Sequence, residues 1–316
     1  MQPTFTHEPD FRQKRDFGQK INATFGFIGV HWRPLGRVLL YLAVPAALLQ
    51  GILTALFQSQ MLGLLHESTA NYSVNSAWVS QRMMYRETFF SPLYYLNAAV
   101  SVLFFTVLIL SVYGYLLRCL YPTTPGAPVT VADVWEVVKR KFLGTFLSTI
   151  GLALIVGVGF IVLFIPGIYL AIALSLFFIV HTVEDTDFIS TISRCISLTS
   201  GKWWSTFGLI FIMGLMMSMV LFGIMSIFGI VVGVKGLLMT TSGLPQAAII
   251  GFTAVTQLLN LFIYPPLLLA LAFQYFNLVE RKEGVGLHSL IDQLGQAPTA
   301  AAPGASTYRP TEEGEY

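Results

Sequence analysis

The chain has 316 residues, of which 55% are hydrophobic and only 11% charged, with a formal net charge of +2 and a mean hydropathy of +0.70. Soluble domains carry about 25% charged residues, so this composition excludes a water-soluble globular protein: too little polar surface exists to cover the core, and lipid must solvate the surplus. The near-neutral balance also gives no global electrostatic argument for nucleic acid as a partner.

At the N-terminus, MQPTFTHEPDFRQKRDFGQK holds charges and no apolar core. A cleavable signal peptide is therefore not expected; residues 1–15 read as a cytoplasmic tail, and the first span directs insertion. From Asp16 onward, Phe17, Ile21, Phe25 and Ile28 recur at helical spacing, which predicts an amphipathic helix in the headgroup region. A helix needs roughly 20 mostly apolar residues to cross a hydrocarbon core about 30 Å thick. Val38 to Phe57 is the first stretch to qualify. The polar segment Gln58 to Pro92 follows, with a sequon at Asn71-Tyr72-Ser73 that is set aside for a bacterial protein. Tyr85, Phe89, Phe90, Tyr94 and Tyr95 suit an interfacial aromatic band.

Leu96 to Leu117 is the second span. After the Pro-rich turn Pro122 to Pro128, Thr130 with Asp133 three residues on matches a capping box. Val131, Val134, Trp135, Val138 and Phe142 then recur at helical spacing, with Glu136, Lys139 and Arg140 opposite. Phe146 to Phe164 is the third span and Ile168 to Val183 the fourth, separated by a break at Ile165-Pro166-Gly167. Asp187 opens another amphipathic helix, with Phe188, Ile192, Cys195 and Ile196 on one face and Ser193, Arg194 and Ser197 on another. Phe207 to Val232 is the fifth span. The sixth, Ala248 to Asn277, is too long for one straight crossing, so Pro265-Pro266 either kinks it or divides it into two. Residues 285–316, rich in Ala, Pro and Thr, read as a cytoplasmic and largely disordered tail.

The expected fold is all-α: a polytopic membrane domain over residues 16–284, six transmembrane helices arranged as three hairpins, each preceded by a cytoplasmic amphipathic helix. The first and last units align without gaps, Asp16-Phe17 lying as far before Trp32 as Asp187-Phe188 before Trp203, so three repeats are read. Of the 18 Lys and Arg residues, all but Arg82, Arg86 and Lys235 fall on the side of the termini. Cations accumulate on the cytoplasmic side, which places both termini in the cytosol of a bacterial inner membrane.

Trp32, Trp135, Trp203 and Trp204 stand where the segments enter the bilayer, with Lys139, Arg140 and Lys202 beside them. These are the candidate membrane-interface residues. Indole rings prefer the headgroup level, and each basic residue near an anionic surface contributes on the order of 1 kcal/mol.

Catalytic signals are sparse. None of the 16 Asp and Glu residues falls within the six stretches, which argues against a proton-coupled pump. His181, Glu184, Asp185 and Asp187 cluster after the fourth span; they could ligate a metal, but the same residues serve to end one helix and cap the next, and that reading is preferred. Gln50, Asn97, Gln257, Asn260 and Gln274 read as interhelical hydrogen-bonding groups. Gly229 with Gly233, and Gly151 with Gly157 and Gly159, read as close packing faces, the former suiting a homo-oligomer or a partner membrane protein. Cys119 and Cys195 form no CxxC pair and are expected to be reduced and structural. No catalytic, cofactor or metal site is read from the chain.

Pro166-Gly167, Glu184 to Asp187, Ser197 to Ser200 and Gly201 to Trp204 follow one another as a Pro-Gly turn, a span, an acidic turn, a serine-ended amphipathic helix and a Gly-Lys-Trp-Trp opening. This pattern resembles a bacterial six-span inner-membrane family that includes the membrane domain of some glycerophosphodiester phosphodiesterases, together with many stand-alone members of no assigned activity. The resemblance covers about a third of the chain and implies the six-span fold. The family often carries a basic residue and a proline near the end of the fourth span, where this chain has His181 and no proline. No phosphodiesterase catalytic domain is present, so that activity is not implied. The expected role is a non-enzymatic membrane protein organising lipids, anionic ones among them, or partner proteins. The alternative is a transporter or permease for an apolar or lipid-like substrate.

Overall fold

A computed structural model describes residue 5 and residues 8–70, 89–122, 127–238 and 246–284. The sequon at Asn71, the cations Arg82 and Arg86, and the tail 285–316 lie outside the described residues. The described chain is all-helical, and six helices in it are long and apolar enough to cross a membrane.

A short α1 (Glu8–Phe11) leads into α2 (Phe17–Val38), a π turn (Leu39–Ala43) and α3 (Val44–Ala70). Then come α4 (Pro92–Leu120), α5 (Val131–Val162), α6 (Phe164–Ala173), a 3-10 turn (Leu174–Leu176) and α7 (Phe177–Glu184). They are followed by α8 (Phe188–Thr199), α9 (Trp203–Leu238) and α10 (Gln246–Glu283). The spans are α2–α3, α4, α5, α6–α7, α9 and α10. The long sixth stretch is one crossing: α10 continues through Pro265 and Pro266.

Local chemistry explains the boundaries. Asp16 and Gln19 make a reciprocal capping box at the start of α2, as do Thr130 and Asp133 at the start of α5. The Asp187 carboxylate accepts from Ser190 N at 3.3 Å and starts α8. The break between the third and fourth spans falls at Leu163, in extended conformation, and not at Pro166-Gly167. Pro166 sits in the first turn of α6, where its missing N–H costs nothing. Gly167 is required by contact: a Cβ there would lie 2.8 Å from the Phe160 backbone nitrogen. α7 ends on Asp185 in the left-handed region, φ 53°, and the chain then turns into α8.

The three amphipathic helices differ in how they join their spans. The first two run on without interruption into α3 and through α5. Only α8 is separate, cut from α9 by Gly201 at φ 76°. It runs back along the fourth span, with the Thr199 hydroxyl 3.5 Å from the Ala173 carbonyl. The gap-free alignment of first and last units is therefore not matched by equal geometry.

α4 is the central helix, with 67% of its most apolar window buried, against 11% for α5 and α9. The core is concentrated at one end of the bundle, where the Lys and Arg residues of the described chain other than Lys235 gather. Every residue of α10 from Leu269 to Glu280 is buried there. Phe5, Phe11, Phe27, Phe273 and Phe276 form an aromatic cluster with tilted, edge-on and stacked contacts at 5.7–6.3 Å between centroids. Residues read as a tail thus help to build this end: Phe5 and Phe11 lie inside it, and buried Arg15 donates through its backbone N–H to Asn277 Oδ1 at 2.8 Å.

Candidate functional site

The basic end carries the predicted interface residues as separate patches around its rim. Trp32 on α2 is 60% exposed, and the Arg33 guanidinium lies 5.2 Å from its ring centroid. Trp135 on α5 is 46% exposed, with Lys139 Nζ 5.9 Å from its ring; Arg140 follows, exposed. Such cation–ring pairs contribute roughly 0.5–1 kcal/mol at exposed sites. Trp203 behaves differently. It is stacked between Tyr169 and Phe207 and its indole donates to the Tyr169 carbonyl at 3.2 Å. Trp204 stands edge-on to it and projects outward, 76% exposed, next to exposed Lys202. Phe90 and Tyr95 are exposed at the far end, near the start of α4, so aromatic side chains mark both ends of the spans.

The apolar series of the amphipathic helices divide between protein and lipid: Phe17, Ile21, Ile28, Val131 and Phe142 pack partly buried against the core, while Phe25 and Trp135 point outward. α2 buries Lys20, Ala23, Thr24 and Phe27, and leaves Phe25 exposed. α5 buries Val134, Val137, Val138 and Lys141, and turns Trp135 outward. The physical reason is that lipid accepts apolar side chains, so the interior goes to groups that need protein partners. Lys20 Nζ donates to Gln274 Oε1 at 2.7 Å and Ser205 Oγ at 3.2 Å, while Gln274 Nε2 donates to Thr206 Oγ1 at 2.9 Å. This network ties α2, α9 and α10 together. Lys141 Nζ donates to the Thr182 carbonyl at 3.1 Å and pairs with Asp185.

The four residues weighed as metal ligands are each engaged in holding the turn. His181 Nδ1 lies 2.8 Å from the Thr186 carbonyl oxygen, and Asp187 caps α8. Arg194 binds both oxygens of Glu184 at 3.0 Å and Glu283 at 2.5 Å, and the Tyr275 hydroxyl donates to Glu184 at 2.9 Å. Hydrogen bonding to Glu283 raises the Arg194 pKa further above its ordinary value. The hydrogen bond from Lys141 holds the Asp185 carboxyl below the ordinary range, with Arg140 and His181 adding to the effect. Cys195 is buried, and burial pushes its thiol up to about 12, which favours the protonated form.

Two cavities adjoin these residues. One of about 270 Å³ has Arg118, Arg140 and Lys141 in its wall, together with Tyr121 and Asp185. The other, a groove of about 760 Å³, runs between α2–α3 and α10 and carries Trp32, Arg33 and Arg37 at one end. Sequence reasoning missed Lys20, Lys141, Arg33, Arg37 and Arg118 as site residues. For Lys141 a signal existed: it continues the buried series Val134, Val137, Val138 at helical spacing. Deeper in the bundle, Gln50 donates to Ser101 Oγ at 2.7 Å and to Asn97 Oδ1 at 3.3 Å, joining α3 to α4. Of the small-residue face on α5, Gly151 and Gly159 meet Phe188 and Gly167 closely, whereas a Cβ on Gly157 would find open space.

Compared with known proteins, the chain matches no family model, no curated protein and no solved structure.

Proposed function

We propose that this chain is a non-enzymatic multi-pass protein of the bacterial cytoplasmic membrane, with both termini in the cytosol, that gathers anionic lipids, and through them partner membrane proteins, at its basic end. The observation that carries this reading is the pairing of outward-facing indoles with cations on separate helices: Trp32 with Arg33, Trp135 with Lys139 and Arg140, and Trp204 with Lys202. An indole at headgroup depth positions its neighbouring cation against lipid phosphate, and several such pairs add their small contributions. Pro166-Gly167 at the opening of the fourth span and the Gly201 to Trp204 opening of the fifth are the features that support membership of the six-span family described above, which forms part of this proposal. So does the engagement of Glu184, Asp185, Asp187 and His181 in structural bonds.

The test is tryptophan emission in vesicles of phosphatidylcholine containing increasing phosphatidylglycerol. The emission is expected to shift to shorter wavelength as the anionic fraction rises, and salt is expected to reverse the shift. Lys139→Gln with Arg140→Gln should blunt it. Emission indifferent to lipid charge would refute the reading. A permease for a lipid-like substrate is the second reading, favoured by Pro265 and Pro266 within α10, since a helix lacking two backbone bonds bends at low cost. Translocation of a fluorescent lipid across reconstituted vesicles separates the two.

A further inference from the structure

The groove between α2–α3 and α10 has a chemical gradient along its length. Arg33 and Arg37, one helical turn apart on α2, stand at one end. Beyond them the first wall is Leu40, Tyr41 and Val44, about 5 to 10 Å further along at 1.5 Å per residue. α10 runs antiparallel to α3, Gly51 lying against Ala254 and Gln58 bonding Thr253. Pro265 and Pro266 are therefore at the arginine end of the second wall, and Leu258 and Phe262 face the apolar part. Leu40, Tyr41 and Phe262 are all more than half exposed, so the groove opens outward to the bilayer. Cations at the headgroup end and an apolar trough beyond follow the order of a phospholipid's own parts.

Arg33 lies over the Trp32 ring, which leaves its charge free to meet an anion. Among the described residues no carboxylate lies within ion-pair distance of Arg33 or Arg37. The smaller cavity differs on this point, because Arg118 is paired with Glu136 and Lys141 with Asp185. Two guanidinium groups on one helix face make a fork suited to phosphate oxygens.

The walls are irregular where they face each other. Pro45 has no N–H, and its ring would collide with the Tyr41 carbonyl in an α-helix. The chain instead forms the π turn Leu39–Ala43, in which Val44 N–H reaches the Leu39 carbonyl. Across the groove Pro265 and Pro266 leave the Leu261 and Phe262 carbonyls without their usual donors. Non-helical backbone at membrane depth persists where it lines a cavity, and π turns recur at functional sites.

We infer that this groove seats one anionic glycerophospholipid of the surrounding bilayer, its phosphate on Arg33 and Arg37 and an acyl chain laid along Leu40, Val44 and Leu258. The inference rests on the anionic-lipid reading above and assigns it one specific slot. Gly36 supplies a way to close the slot with both charges intact, since a side chain there would meet nothing within 4 Å.

The experiment is native mass spectrometry of the full chain released from nanodiscs of equal phosphatidylglycerol and phosphatidylcholine. The unmodified protein is expected to retain one phosphatidylglycerol. Arg33→Gln with Arg37→Gln should lower that retention about tenfold, and Arg33→Lys with Arg37→Lys should restore part of it. Gly36→Trp should remove it, and Ile161→Ala, outside the groove's lining, should leave it in place. Equal retention of both lipids, survival of the adduct in both the arginine-to-glutamine and Gly36→Trp proteins, or a second copy of the chain in place of lipid would overturn the inference. If the adduct fails these tests while tryptophan emission still follows lipid charge, only the slot is lost; if emission is indifferent as well, the broader reading falls with it.

Discussion

The two halves of α5 sit in different solvents. Its first half buries Val134, Val137, Val138, Lys141 and Thr145, whereas Leu154, Val158, Ile161 and Val162 in the second half are largely exposed. α10 repeats the contrast in reverse order, from exposed Phe252, Val255 and Phe262 to an unbroken buried run from Leu269 to Glu280. Apolarity alone does not choose the interior of this protein, which holds Lys20, Lys141 and Gln274 beside its aromatic cluster; the half of each helix that carries the charged residues is the one packed against protein. The lesson is that in lipid the interior is selected by groups that need partners, such as Lys20, Lys141 and Gln274, and the apolar remainder faces acyl chains.

Substitutions at the two ends sharpen that contrast. Phe273→Ala, in the aromatic cluster of the packed end, should cost about 3–5 kcal/mol, read as a large drop in thermal midpoint in detergent. Lys20→Met should cost about 1–3 kcal/mol, because it leaves the Gln274 oxygen without its donor inside the protein. A double substitution with Gln274→Leu should recover part of that loss. Ile161→Ala, at a position 86% exposed, should change the midpoint by less than about 0.5 kcal/mol equivalent. A cost at Ile161 matching that at Phe273 would break the comparison.

The smallest effect concerns pH. Lys141 depresses the Asp185 carboxyl below its ordinary value of 3.8. A depressed folded-state value means the tie stabilises fully above pH 3.8 and is lost as pH falls through the lowered value. The Asp185 side chain is 72% exposed, so solvent screens the pair. Thermal melts of the protein and of Asp185→Asn should converge as pH is lowered below 3.8 and differ slightly above it. A gap that widens on acidification would contradict the assignment.

Much of the fold was legible in the sequence because its signals are local. The length and apolarity of each span, the Thr130–Asp133 box and the Asp187 cap all lie within a few consecutive residues. What was not legible depended on which side of a helix meets protein. The apolar series Phe17, Ile21, Phe25 and Ile28 read as the membrane-seeking face of α2, yet Phe17, Ile21 and Ile28 pack partly buried against the core, and Lys20, Thr24 and Phe27 lie fully buried beside them. Hydrophobic periodicity cannot separate a lipid-facing stripe from a core-facing one. The candidate site was half legible. Tryptophans next to cations could be read in line, yet the groove needed residues 33–44 and 258–266 brought together across the bundle. The π turn had a sequence cause in Pro45, but a proline so placed could equally have kinked the helix.

The most direct test of the account is the side of the membrane on which the basic end lies. Single cysteines at Lys139, Lys202 and Glu283, in a protein whose native cysteines are buried, can be challenged with a membrane-impermeant maleimide in spheroplasts and in inverted vesicles. All three should react only in inverted vesicles, where the cytoplasmic face is outward. Labelling of Lys139→Cys and Glu283→Cys from opposite faces would contradict it.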